Sequence, residues 1–184
     1  VGRHTVDAPS AHPRLTNPDV ALARAATSEV KDSKDREGQE VSMRLTERDK
    51  DNGMLGLLLA INEKSFAENE RASELNFTSH FQFDEVFVNA SLYPHAFALV
   101  TERDGPYLLI LAVTKTEQGA GLGTALLEEI EAFYRKSGAR DIKLTCSVEN
   151  WKAQRLYLKM GYRAVRVIPR YYETEDGLFM RRVL

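Results

Sequence analysis

Between residues 111 and 130 the chain reads LAVTKTEQGAGLGTALLEEI, with Gly119, Gly121 and Gly123 alternating where an apolar strand gives way to an amphipathic helix. Glycine costs backbone entropy, so such a repeat belongs where the chain bends tightly or approaches something closely. A strand, a glycine turn and a helix start together make an anion site, because the first helical N–H groups lack partners and the helix dipole adds partial positive charge. Phosphate is the commonest such anion. A Walker loop would need Gly-Lys-Ser/Thr, and the chain has Gly123-Thr124-Ala125. A dinucleotide loop of the form GxGxxG would need glycine where Thr124 stands, and no early βαβ unit precedes it. On the loop alone, a tight connection without a ligand stays open.

A second cluster lies downstream. ENWKAQRLYLKMGY puts Asn150 at a strand end, Ala153 and Tyr157 one helical turn apart on one face, and Gly161-Tyr162 where the chain returns to strand. The single Cys146 has no histidine near it in sequence and reads as a small buried residue rather than a nucleophile. The four histidines are scattered without ligand spacing, so no metal is expected.

The elements that must hold these residues follow from periodicity. VSMRLT alternates as a first strand, and DNGMLGLLLAINEKSF is a helix with Met54, Leu57, Leu58 and Ile61 on one face. ERASELNFTSHF is short helix or irregular chain. DEVFVNAS, HAFALVTE and YLLILAVT are strands joined by short turns, hence antiparallel neighbours. The helix from about Leu122 to Lys136 carries Leu126, Leu127, Ile130, Phe133 and Tyr134 on one side and stops at Gly138. DIKLTCSV is a strand, WKAQRLYLKMG a helix, and YRAVRVIPRYY and LFMRRVL two last strands around the turn TEDG. The expected fold class is α/β in the broad sense, an α+β mixed sheet flanked by helices.

Composition sets limits. The chain of 184 residues is 43% hydrophobic and 28% charged, which suits one globular domain with a tail. Its net charge of -2 argues against nucleic acid as a partner, and no apolar run approaches the roughly 20 residues of a membrane helix. One cysteine excludes an intrachain disulfide framework and suits a reducing, cytoplasmic setting. Residues 1–42 are rich in breakers and mixed charges and read as a polar, partly disordered extension; the packed domain is expected over 43–184.

Taken in order, QGAGLGTALL and ENWKAQRLYLKMGY resemble the two signatures of the GNAT superfamily of acetyl-CoA-dependent N-acetyltransferases. Gln118, Gly119, Ala120, Gly121, Leu122 and Gly123 fill its Q/R-x-x-G-x-G/A loop, and Asn150, Ala153, Tyr157, Gly161 and Tyr162 fill N-x-x-A-x-x-x-Y-x-x-x-G-F/Y. The resemblance implies the GNAT acyl-CoA N-acyltransferase fold, with acetyl-CoA as co-substrate and direct transfer of acetyl to an amine. It implies that the strands LLILAVT and DIKLTCSV run parallel and splay, that the loop through Thr124 binds the pyrophosphate, and that Leu111 and Val113 offer backbone groups to pantetheine beside Asn150. Tyr157 would give a proton or hydrogen bond to the CoA sulfur.

The sequence is most similar to protein N-terminal acetyltransferases of the NatE catalytic-subunit and ribosomal-protein alanine acetyltransferase types. By that similarity Tyr107 matches a strand tyrosine that serves as base, the partnering histidine position falls on Cys146, and the bacterial strand glutamate falls on Thr145. The acceptor implied is the α-amine of a peptide or protein, contacted by Tyr171 and Tyr172 of RYYETEDG on one wall and by Phe66, Ala67 and Glu68 on the other. A small-molecule amine, or a CoA-binding subunit that transfers nothing, stays open, as does a partner subunit.

Overall fold

Each α-helix among the described residues starts where its sequence supplies a cap or a glycine. The computed structural model describes residues 42–66, 72–89, 94–172 and 174–184. Residues 1–41 of the extension and the expected contacts Ala67 and Glu68 lie outside the described residues, while Ser42, counted with the extension, opens the first strand. After β1 (Ser42–Arg44), Asp51 caps α1 (Asn52–Ser65) by accepting a hydrogen bond from the Met54 N–H at 2.7 Å. Ser73 does the same for α2 (Glu74–Phe83) through Asn76, so the stretch of undecided character is helical from Glu74 onward. Strands β2 (Glu85–Asn89), β3 (Ala96–Thr101) and β4 (Tyr107–Val113) follow, then α3 (Leu122–Lys136), β5 (Asp141–Ser147), α4 (Trp151–Lys159), β6 (Arg163–Ile168) and β7 (Gly177–Val183).

The strands form a seven-stranded mixed sheet in the order β1-β2-β3-β4-β5-β7-β6. β1 to β4 are antiparallel neighbours, as the short turns require, β5 lies parallel to β4, and the β6–β7 hairpin adds antiparallel with β7 against β5. β6 stops at Ile168, short of the expected Tyr172: Pro169 follows, and with no N–H to give it cannot continue a ladder. Tyr171 and Tyr172 therefore stand in the β6–β7 loop.

Each face of the sheet has its own core. Leu126, Leu127 and Ile130 of α3 are fully buried with Leu144, Cys146, Tyr157 and Met180 on one face. Leu58, Ile61, Phe77 and Phe81 of α1 and α2 pack with Phe97, Leu99 and Ile110 on the other. Burying a side chain of this size stabilises by about 1.5–3 kcal/mol. β4 serves both faces unevenly, because the register shifts between Leu99 and Val100 of β3, whose partners are Ile110 and Leu108. Leu109 is the extra residue, a β-bulge, and past it the alternation reverses: Leu108 packs with α3 and α4, then Leu109 and Ile110 both with α1 and α2, then Leu111 back again. Among the described residues no helix is long and apolar enough to cross a membrane.

Candidate active site

The bulge stands at the point where β4 and β5 part. Their parallel pairing is limited to Tyr107 with Lys143 and Leu108 with Leu144, although β4 continues to Val113 and β5 to Ser147. Each strand stays held by its other neighbour, β4 by β3 up to Ala96 with Val113, and β5 by β7 up to Ser147 with Gly177. The result is an open wedge. Thr114 gives its N–H to the His95 carbonyl, one residue before β3. Backbone groups alternate sides along an antiparallel strand, so those of Leu111 and Val113 face the wedge.

At the wide end of the wedge lies the glycine loop. Gln118 folds back and its Nε2 donates to the Val113 carbonyl at 3.2 Å, closing the loop on the strand. Gly119 and Gly121 have φ of 94° and 92°, and open space surrounds the position of a Cβ at both. Left-handed backbone, rather than lack of room, requires glycine there. Gly123 differs: a Cβ would stand 3.2 Å from Leu156 Cδ2, so this glycine lets α3 and α4 approach. α3 has no side-chain cap and no acid in its first turn. The N–H groups at its start, with Gly121 as N-cap, are left for an anion.

α4 forms the other bank. Asn150 caps it, Oδ1 accepting from the Ala153 N–H at 3.1 Å. Tyr157 is buried one turn further along, on the wedge wall with Asn150, Ala153 and Leu111. Burial first, and the neighbouring Cys146 second, hold its phenol well above the ordinary range, so it keeps its proton at neutral pH. Burial also pushes the Cys146 thiol up to about 11, which fits an inert core residue.

The face of the wedge toward α1 is built differently. The Tyr107 hydroxyl lies 2.5 Å from Thr145 Oγ1. Cys146, the expected partner position, is not there: neighbouring strand residues point to opposite faces, and Cys146 packs in the α3–α4 core. Burial, then Tyr171, raise the Tyr107 phenol far above its usual value, so it does not act as a direct base near neutrality. Tyr172 lies on the wedge wall and its hydroxyl donates to the Thr145 carbonyl at 3.2 Å. Tyr171 packs edge-on against it, ring centroids 5.0 Å apart, and stands over Gly177. Phe66 closes the opposite side from the end of α1.

Three residues that sequence reasoning passed over share this face. Asn62 is 4% exposed, gives Nδ2 to the Ala72 carbonyl at 3.3 Å, and has no partner for Oδ1 among the described residues. Ser147 Oγ donates to the Glu175 carboxylate. The sequence signal was weak, since Asn62 sits in an apolar helix run and Glu175 inside a turn, where a charged residue is ordinary.

The family model described as "Acetyltransferase (GNAT) family" matches residues 60–162. The chain belongs to the GNAT acetyltransferase family. This GNAT chain is 37% identical over 106 residues to an uncharacterized N-acetyltransferase of Methanocaldococcus jannaschii, covering 49% of this chain and 67% of that protein. It is 31% identical over 115 residues to the Escherichia coli [ribosomal protein bS18]-alanine N-acetyltransferase, covering 62% of this chain and 72% of that protein. The crystal structure of the Escherichia coli ribosomal-protein-S18-alanine N-acetyltransferase superimposes with a TM-score of 0.67 at 26% identity, covering 78% of this chain and 92% of the other.

The residues present in this GNAT chain fit the family's co-substrate. A pyrophosphate needs N–H donors, and the start of α3 has them uncapped; an arm bearing amides needs strand-edge backbone groups, and those of Leu111 and Val113 face the wedge.

Proposed function

We propose that this GNAT N-acetyltransferase acetylates the N-terminal α-amine of a protein or peptide. The observation that carries the proposal is the wall made by the Tyr171–Tyr172 loop across from Phe66, on the side of the wedge away from the glycine loop. An extended peptide end can enter between these aromatic surfaces. Similarity to an enzyme named for a ribosomal protein's alanine supports the same reading.

In this reading the loop from Gln118 to Thr124 holds the pyrophosphate, with Gly119, Ala120, Gly121, Leu122 and Gly123 contributing backbone. Leu111, Val113 and Asn150 hold the pantetheine arm. Acetyl-CoA, when bound, supplies the acetyl group as a thioester. Tyr157 protonates the departing sulfur, and Tyr107, tied to Thr145, orients the acceptor end. Phe66, Tyr171 and Tyr172 contact the first residues of the peptide.

Incubation with acetyl-CoA and a mixed panel of peptides and small amines tests the reading. Acetylated peptide α-amines are expected; transfer to small amines alone overturns it. Thr145, a residue with no basic group where a base is needed, favours a second reading, a CoA-binding subunit without activity. Calorimetric CoA binding with no transfer to any amine is its signature.

A further inference from the structure

Acetyl transfer needs a neutral amine, yet an α-amine, with a pKa of about 8, is largely protonated near neutrality. Tyr107 and Tyr172 keep their protons, held far up by burial, and Thr145 has no basic group to take one. The wedge wall nevertheless contains one carboxylate among the described residues, Glu175.

Its position is fixed from several sides. The Glu175 carbonyl accepts from the Tyr172 N–H at 3.0 Å, the Asp176 carbonyl from Val148 N–H at 3.1 Å, and Asp176 Oδ1 from Arg170 N–H at 2.8 Å. Ser147 Oγ accepts from the Glu149 N–H at 3.0 Å, which turns its own proton toward Glu175 Oε2. Oε1 takes no hydrogen bond from the described residues. A second, independent feature points to the same kind of ligand: the unpartnered, buried Asn62 Oδ1 on the wall also seeks a donor.

We propose that Glu175, oriented by Ser147, receives the acceptor's ammonium group and takes up its proton before acetyl transfer. The proposal rests on the amine-acetylating reading above. The ammonium N–H bond breaks with its electron pair left on nitrogen, and the proton goes to Oε1. The freed pair forms the N–C bond as the C–S bond breaks. Of the three ammonium protons, one goes to Glu175 and thence to solvent, one stays in the amide, and one balances the proton that sulfur takes from Tyr157. The apolar side chains of Leu109, Leu111 and Phe66 line the same wall.

Two measurements test it. First, CoA-loaded protein is titrated with a peptide and with its des-amino counterpart. The native protein is expected to bind the ammonium form about 10-fold more tightly, and Glu175→Gln to lose that preference. Second, Glu175→Gln is expected to lower kcat/KM for the acceptor about 100-fold with acetyl-CoA affinity unchanged. Ser147→Ala, which keeps the carboxylate but frees it, is expected to lose about 10-fold. A preference that survives Glu175→Gln, or a kcat/KM near native, overturns the proposal. Should only small amines be acetylated, the peptide reading fails while the Glu175→Gln comparison on that amine still decides the role of Glu175. Should nothing be acetylated, the ammonium preference decides it.

Discussion

The hydroxyl of Tyr107 and Oγ1 of Thr145 meet at 2.5 Å across β4 and β5, next to the last pair that the two strands share. This bond sits at the apex of the wedge and ties together the strands that separate immediately beyond it. Its phenol is one of several buried ones. Tyr107, Tyr134, Tyr157 and Tyr162 are all nearly inaccessible, and burial is the leading cause that raises each above the ordinary phenol range.

Alkali should therefore unfold the protein steeply. Folded-state phenols with raised pKa values stabilise fully below the unfolded value near 10, and that contribution is lost as pH rises further, because the unfolded chain releases protons that the folded one retains. The slope is up to about 1.4 kcal/mol per pH unit for each phenol. Urea midpoints measured from pH 8 to 11 should show no phenol-linked loss below about 9.5 and a sharp fall above it. A midpoint unchanged to pH 11 contradicts burial of these tyrosines.

At Gly121 the left-handed φ and the uncapped helix start can be separated by two substitutions. Gly121→Ala should cost about 1 kcal/mol of stability through backbone strain. Gly121→Asp adds a negative charge at the α3 N-terminus and should weaken CoA binding by about 10-fold or more in calorimetry. Equal CoA affinity in the native and Asp proteins removes the loop as the anion site.

Gly177 is where the proposed acceptor wall can be disturbed without touching the glycine loop. A Cβ there would lie 2.6 Å from Thr145 Cγ2 and 2.7 Å from Tyr171 Cβ, so Gly177→Ala must displace Tyr171 and Thr145 from their places on this wall. KM for a peptide acceptor should rise several-fold, on the order of the ~1–3 kcal/mol of an overpacked contact, with KM for acetyl-CoA unchanged. A rise in both would mean that the loop does not serve the acceptor specifically.

Tyr157→Phe removes a phenolic proton from a residue whose ring is already packed against Tyr162, centroids 5.7 Å apart. kcat should drop by about 100-fold while the melting temperature and acetyl-CoA affinity stay close to native. Full kcat would assign the proton to another group.

Much of this was legible in the chain itself, and the reasons differ by residue. Leu122 to Lys136 declared its limits because a glycine starts it, an apolar stripe fills it and Gly138 ends it. The antiparallel order of β2, β3 and β4 followed from short connections that permit little else. Strand length failed at Pro169, where aromatic residues beyond the proline favoured strand and the missing N–H forbade it. Cys146 was misplaced relative to Tyr107 because a single step along a strand reverses its side chain, and matching two separate strands by counting does not settle a one-residue register.

What the sequence determined by itself was the glycine-loop side of the wedge, proposed to hold the donor: the alternating glycines and the Asn150 to Tyr162 cluster are local signals, since a backbone conformation and a helix start depend on residues close together in the chain. Only the tertiary structure assembled the opposite side, proposed to take the acceptor. Asn62, Tyr107, Thr145, Ser147, Tyr172 and Glu175 come from four separate segments, and their meeting depends on a bulge at Leu109, a strand pair that ends at Leu108 and a hairpin that inserts β7 beside β5. Contacts between such distant segments arise from packing the whole sheet, and no local pattern encodes them.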